Sequence, residues 1–224
     1  MSFRKTLFVL ACAAAPLSAA AAQTPHNLIL FVPDGLRAQA VTPESAPTFA
    51  AVRDKGVNFA NPHSLFPTFT MPNASGLATG HFLGDTGTFS NTIFTGYAVP
   101  TAAGSMTPFI ESDPILGDID AHFSGNFVDE DTVVLTANHQ GFSTAAIGKL
   151  GPTLLFDHVE PNGMKTIIID DSTGKPVGVP LSQEIIAGLG AAKLDVVATE
   201  RKNKDGENGD AGDAKKPGTQ KRQF

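Results

Sequence analysis

The sequence predicts an α/β protein, with a mostly parallel sheet flanked by helices. Three observations lead there. Residues 28–32 of NLILFVPDG form a continuous apolar run closed by Pro33-Asp34-Gly35, the pattern of a strand buried on both faces. Residues 47–55, PTFAAVRDK, carry apolar residues at helical spacing and stop at Gly56, as a helix does. VNFANPHSLF then reads as a second extended segment, so strand, helix and strand occur in the order of a βαβ unit.

The alternation continues more loosely. ASGLATG, ending at Gly80, predicts a short helix with Pro72 in its first turn, where proline is favoured. DEDTVVLTANHQG, residues 129–141, has acids at its start and a glycine at its end, again the order of a helix. FSTAAIG reads as a strand. TLLFDHV and TIIIDDS are β-rich with the turn EPNGMK between them, which predicts a hairpin. SQEIIAGLGAAKL, residues 182–194, predicts a helix with Ser182 as its N-cap. No fixed-period repeat is visible.

The two ends differ from this middle. MSFRK is a short basic start, an apolar stretch follows, and AAAQ offers small residues for cleavage. That order predicts a signal peptide over residues 1–22 and a periplasmic or secreted protein with no membrane span after cleavage. Removing 1–22 takes away Arg4 and Lys5 and no acid, moving the formal net charge from −6 to −8. An acidic chain argues against nucleic-acid duplexes as partners. The only cysteine, Cys12, lies inside the leader, so the mature chain can form no disulfide. Residues 23–198 then form the folded domain. From Thr199 to Phe224 the chain is charged and Gly-rich, with one aromatic residue at the last position; such a segment cannot bury enough apolar surface to offset ordering and predicts a disordered polar tail.

Two residues carry candidate chemistry. Asp34 ends the first apolar run, and the carboxyl ends of strands are where open α/β sheets gather ligands. A carboxylate there suits a divalent ion, although Pro-Asp-Gly is equally a turn signal. Thr70 in FPTFTMPNASGLATGH stands at or beside the start of the short helix. A hydroxyl at that place is an N-cap, or a nucleophile beside amides that welcome an anion.

Taken together, VPDG, then PTFTMPN about 35 residues later, then ATGHFLGDTGTFSN resemble the alkaline phosphatase superfamily, and within it the type I phosphodiesterases and nucleotide pyrophosphatases. The resemblance covers residues 26–95 and implies an alkaline-phosphatase-like sheet, of which this chain holds the N-terminal half. By resemblance Asp34 is a metal ligand, Thr70 is both nucleophile and metal ligand, and Asn91 holds a phosphoryl oxygen. The family binds two divalent ions, usually zinc, about 4 Å apart. The implied activity is metal-dependent hydrolysis of phosphate esters, with phosphodiester or pyrophosphate bonds favoured and a covalent phosphothreonine intermediate; the implied partner is a small phosphate ester or nucleotide. Phe69 stands where the family often has Lys, and Ala74-Ser75 where it often has His-Tyr.

The family's remaining ligands, an Asp-x-x-x-His pair, an Asp-His pair and a final His, are expected near or beyond residue 190, and no histidine follows Leu194. Asp157-His158 and the i, i+4 pair Asp118 and His122 are the substitutes considered. His26, His63, His81 and His139 read as surface or packing residues. Glu111, Asp113 and Asp129 to Asp131 read as solvated charges or a helix start, and Asp170-Asp171 as a turn. A truncated, non-catalytic relative that at most binds phosphate or a metal weakly is the second expectation. A sulfatase-like relative would need a Cys/Ser-x-Pro-x-Arg motif, which is absent.

Overall fold

Parallel strands cannot be joined by a tight turn, and this rule governs how the larger part of the chain is built. The structure, a computed structural model, describes residues 27–198. The expected signal peptide, His26 and the expected polar tail lie outside the described residues. The chain divides into two units, Met1–Ala60 and Asn61–Phe224. Among the described residues, no helix is long and apolar enough to cross a membrane.

In the first unit, α1 (Pro47–Lys55) forms over the expected residues. Pro47 at its start has no N–H to leave unpaired, and Arg53 and Lys55 face the carbonyl end of the helix dipole. Arg53 also reaches back to the carbonyl of Val41 at 2.8 Å. The Phe31 and Phe49 rings lie 5.5 Å apart. The expected buried strand over 28–32 does not form: Leu28 and Ile29 are 87% and 84% exposed. A buried strand needs hydrogen-bonded neighbours, and no strand lies among residues 27–60 to supply one. Residues 57–66 carry no strand either, so the expected βαβ unit is corrected to a single helix with extended flanks.

The second unit contains α2 (Thr70–Thr79), α3 (Leu83–Thr86), α4 (Asp113–His122), α5 (Val133–His139), β1 (Thr144–Ile147), α6 (Leu150–Leu154), β2 (Thr166–Ile169) and α7 (Gln183–Ala191). β1 and β2 pair in parallel, Thr144 opposite Thr166 and Ile147 opposite Ile169. The expected hairpin is thereby corrected. TLLFDHV is the crossover, made of α6 and a 3₁₀ turn at Leu155–Asp157, because parallel pairing demands a connection long enough to return. Its Leu154 and Leu155 are buried.

Helix ends follow the side-chain caps. The Thr132 hydroxyl accepts from Leu135 N at 3.1 Å and donates to Phe156 O at 2.7 Å, so α5 starts after the acids 129–131. Ser182 accepts from Ile185 N at 3.3 Å and starts α7 as expected. α4 runs through the turn-rich GDIDAHFSG as far as His122, with Pro114 in its first turn. The core joins Met71 and Ala78 of α2 to Leu116 and Ile119 of α4, to Leu154 of α6 and Leu155 of the 3₁₀ turn after it, and to Ile168 of β2. Each fully buried large side chain contributes roughly 1.5–3 kcal/mol. The mixed helix-and-strand architecture, with a small parallel sheet flanked by helices, fits a partial alkaline-phosphatase-like α/β fold.

Candidate active site

The start of α2 is built from the chain on both sides of it. Phe69 is its N-cap and Thr70 its first helical residue, one position inside the helix. Thr70 is half-buried. Of the first three positions of α2, Met71 N is given to Asn91 and Pro72 has no N–H, so the donor left at this helix N-terminus is the Thr70 amide. Asn73 explains the Pro-Asn step: its side chain accepts from Leu65 N at 2.8 Å and donates to Phe69 O at 2.9 Å. The loop that delivers Thr70 is thus clamped to the helix it opens. The small residues beyond serve packing. Ala74, Ser75 and Ala78 are buried, and a Cβ on Gly76 would meet the Leu65 side chain.

Asn91 meets the same helix start. Its Oδ1 accepts from Met71 N at 2.8 Å, and its Nδ2 donates to Glu111 Oε1 at 2.7 Å. Only this amide orientation works, since an N–H and a carboxylate lie on its two sides. Glu111 Oε2 pairs with Lys149 Nζ. Glu111 is 2% exposed, and a buried carboxylate costs heavily unless paired; here an amide and an ammonium share it. The expectation of a solvated Glu111 is therefore corrected. Gly151 makes the approach possible: a Cβ there would stand 2.7 Å from Ile110 O and 2.8 Å from Glu111 Cα, and Gly151 N donates to Glu111 O at 2.9 Å. Asn73, Glu111 and Lys149 were not legible as site residues, because a lone polar residue carries no periodic signal.

The other candidates are engaged elsewhere. Asp118 accepts from Thr101 N and Oγ1 at 3.1 and 2.9 Å, while His122 stacks on Tyr97 with ring centroids 3.6 Å apart; the two form no ligand pair. His158 Nδ1 lies 2.9 Å from Asp120 Oδ1, and Asp157 beside it is buried with no partner for either oxygen. His81 lies 3.6 Å from both Asp85 and Glu130. His63 lines an open, mainly apolar pocket of about 560 Å³ with Phe66, Phe82 and Phe89. Asp34 is exposed in a turn closed by Leu36 N on Pro33 O at 3.0 Å, with Gly35 at φ 77°, the left-handed position that this turn reserves for glycine. Asp34 belongs to the first unit and Thr70 and Asn91 to the second, so the structure brings together the latter two.

A family model for type I phosphodiesterase/nucleotide pyrophosphatase matches residues 28–196. The chain belongs to that family. No curated protein and no solved structure matched it. Membership makes it a phosphodiesterase- or pyrophosphatase-type hydrolase by descent, in a family that acts on small phosphate esters or nucleotides and generally uses divalent metals. Tested against that expectation, the donors present fall short. Among the described residues no group of three or more His, Cys, Asp or Glu side chains could hold a metal ion. Asp34 and Thr70 alone are fewer than the three or four protein ligands that a zinc site takes. The described residues therefore do not form the family's metal centre.

Proposed function

We propose that this chain is a periplasmic or secreted hydrolase of phosphodiester or pyrophosphate bonds in small molecules such as nucleotides, with Thr70 as its nucleophile. The observation that carries the reading is the joint placement of Thr70 and Asn91: the first opens α2, and the second hydrogen-bonds the next amide, Met71 N, at 2.8 Å. The compartment rests on the leader read over residues 1–22.

In this reading the Thr70 oxygen attacks phosphorus in line. The Thr70 O–P bond forms as the bond from phosphorus to the leaving oxygen breaks. The hydroxyl proton passes to solvent and the leaving oxygen takes one up. Water then cleaves the phosphothreonine and restores the hydroxyl. Asn91 Nδ2 carries two hydrogens, and one goes to Glu111; the other is directed to a phosphoryl oxygen. The Thr70 amide, at the start of α2, offers a further donor to the developing charge. The divalent ions that the family uses, zinc by resemblance, would supply charge neutralisation and a more acidic hydroxyl, but the donors among the described residues do not make up their site.

A second reading, binding of phosphate without turnover, is favoured by the missing three-donor cluster among the described residues. Hydrolysis of a chromogenic phosphodiester by the full chain with added zinc, beside Thr70→Ala, tests both. Turnover that disappears in the variant supports the nucleophile. A folded wild type that binds inorganic phosphate and turns nothing over supports the second reading.

A further inference from the structure

A second acidic locus, in the same unit as Thr70, is left over once the candidate active site is accounted for. Asp113 is the first residue of α4 and Asp170 directly follows β2. Each is 4% exposed. Neither oxygen of Asp113 has a hydrogen-bond partner, and Asp170 Oδ2 has none. Asp170 Oδ1 is occupied, accepting from Ser172 N at 2.7 Å. None of the ion pairs among the described residues involves either carboxylate. Asp113 also lines a pocket of about 270 Å³ with Pro114, Gly117, Leu154 and the 177–180 segment. Burial, then the neighbouring Asp170 carboxyl, pushes Asp113 up to about 8; the Asp171 charge adds to this and the Ser172 hydroxyl opposes it.

Two buried carboxylates side by side need something positive between them. A shared proton would satisfy two of the three unpartnered oxygens. A cation can meet all three. The donors are all oxygen, which suits a hard ion rather than one that prefers nitrogen or sulfur. The turn after β2 is shaped to hold its acid in place: Asp170 N donates to Thr173 Oγ1 at 2.8 Å, and a Cβ on Gly178 would stand 2.0 Å from Ser172 O, so only glycine lets the 177–180 segment close over that turn.

We propose that Asp113 and Asp170 form a buried site for one hard divalent cation of the calcium or magnesium class, joining the start of α4 to the end of β2. The site is separate from the Thr70 locus and does not depend on catalysis there.

The test uses the full chain, stripped with a chelator and exchanged into mildly alkaline buffer. Calcium, magnesium or manganese chloride is titrated in by calorimetry, and melting is followed in parallel. The expected result is uptake of one ion with a rise in melting temperature. Asp113→Asn and Asp170→Asn should each weaken uptake by about tenfold or more, as affinity follows the count of charged ligands, while Thr70→Ala and Asp34→Ala leave it unchanged. If both Asn variants fail to fold, manganese added to the labelled wild type should broaden the amide resonances of residues 113–117 and 170–178 first. No cation-dependent rise in the wild type, uptake undiminished in a folded Asp113→Asn, or broadening centred elsewhere would each overturn the proposal.

Discussion

Replacing Asn91 by alanine tests whether the helix start and the buried Glu111–Lys149 pair form one unit. Two hydrogen bonds are lost: Met71 N to Asn91 Oδ1 at 2.8 Å and Asn91 Nδ2 to Glu111 Oε1 at 2.7 Å. The first orphans a neutral donor on Met71, whose residue is fully buried, and the second removes a donor from a carboxylate that is 2% exposed. A neutral bond is worth about 1 kcal/mol and one to a charged group about 1.5–3 kcal/mol, so the expected loss is roughly 2.5–4 kcal/mol. For a chain of this size that lowers the melting temperature by roughly 5–15 °C. Asn91→Asp sharpens the test, since it sets a second carboxylate against Glu111 and should melt lower than the alanine variant. Chemical denaturation of wild type and both variants measures the differences. A loss below about 1 kcal/mol for alanine, with aspartate no worse, would refute the network. Activity gives a separate readout. Assayed well below the variant's melting point, loss of the second amide hydrogen from a phosphoryl oxygen should lower kcat by about 10²–10³-fold.

Four further outcomes are expected. Thr70→Ala should abolish turnover of a phosphodiester while shifting the melting temperature little, because Phe69 and not Thr70 caps α2; retained turnover removes Thr70 from the chemistry. Gly151→Ala should destabilise the fold by about 1–3 kcal/mol through overpacking, since its Cβ would lie 2.8 Å from Glu111 Cα; a neutral result would mean that α6 does not press on Glu111. Leu116→Ala, at a fully buried core position, should cost about 2–5 kcal/mol in chemical denaturation. In cation-free buffer, Asp113 binds its proton more tightly in the folded chain than in the unfolded one, because its value rises from 3.8 to about 8. Its stabilisation is therefore full in acid and is lost as pH rises toward about 8; melting against pH should show this decline in the wild type and a flatter profile in Asp113→Asn.

What the sequence made legible is the set of features whose cause is local. α1 is bounded by Pro47 and Gly56, α2 ends at Gly80 with φ 77°, and Ser182 caps α7. In each case the residue that signals the boundary also creates it through its own backbone or side chain. Features whose cause lies elsewhere in the chain were not legible. Residues 28–32 have strand composition and are exposed, because composition supplies a willing strand and only another strand supplies its hydrogen bonds. TLLFDHV has the same apolar richness and became helix and 3₁₀ turn, since the parallel register of Thr144 with Thr166 left it no edge to join. The candidate site divides the same way. The ordered motif around Thr70 could be read directly, and the family match over 28–196 agrees with that resemblance. Glu111 could not be read, because its meaning depends on Asn91 twenty residues before it and Lys149 thirty-eight after it. One signal was available: Glu111 follows the apolar PFI, and an acid continuing an apolar run is one that burial will force to find a partner. Asp170 after TIII carries the same signal. There the described residues offer another carboxylate where Glu111 found an ammonium, and that difference is why the second acid, and not the first, calls for a cation from outside the chain.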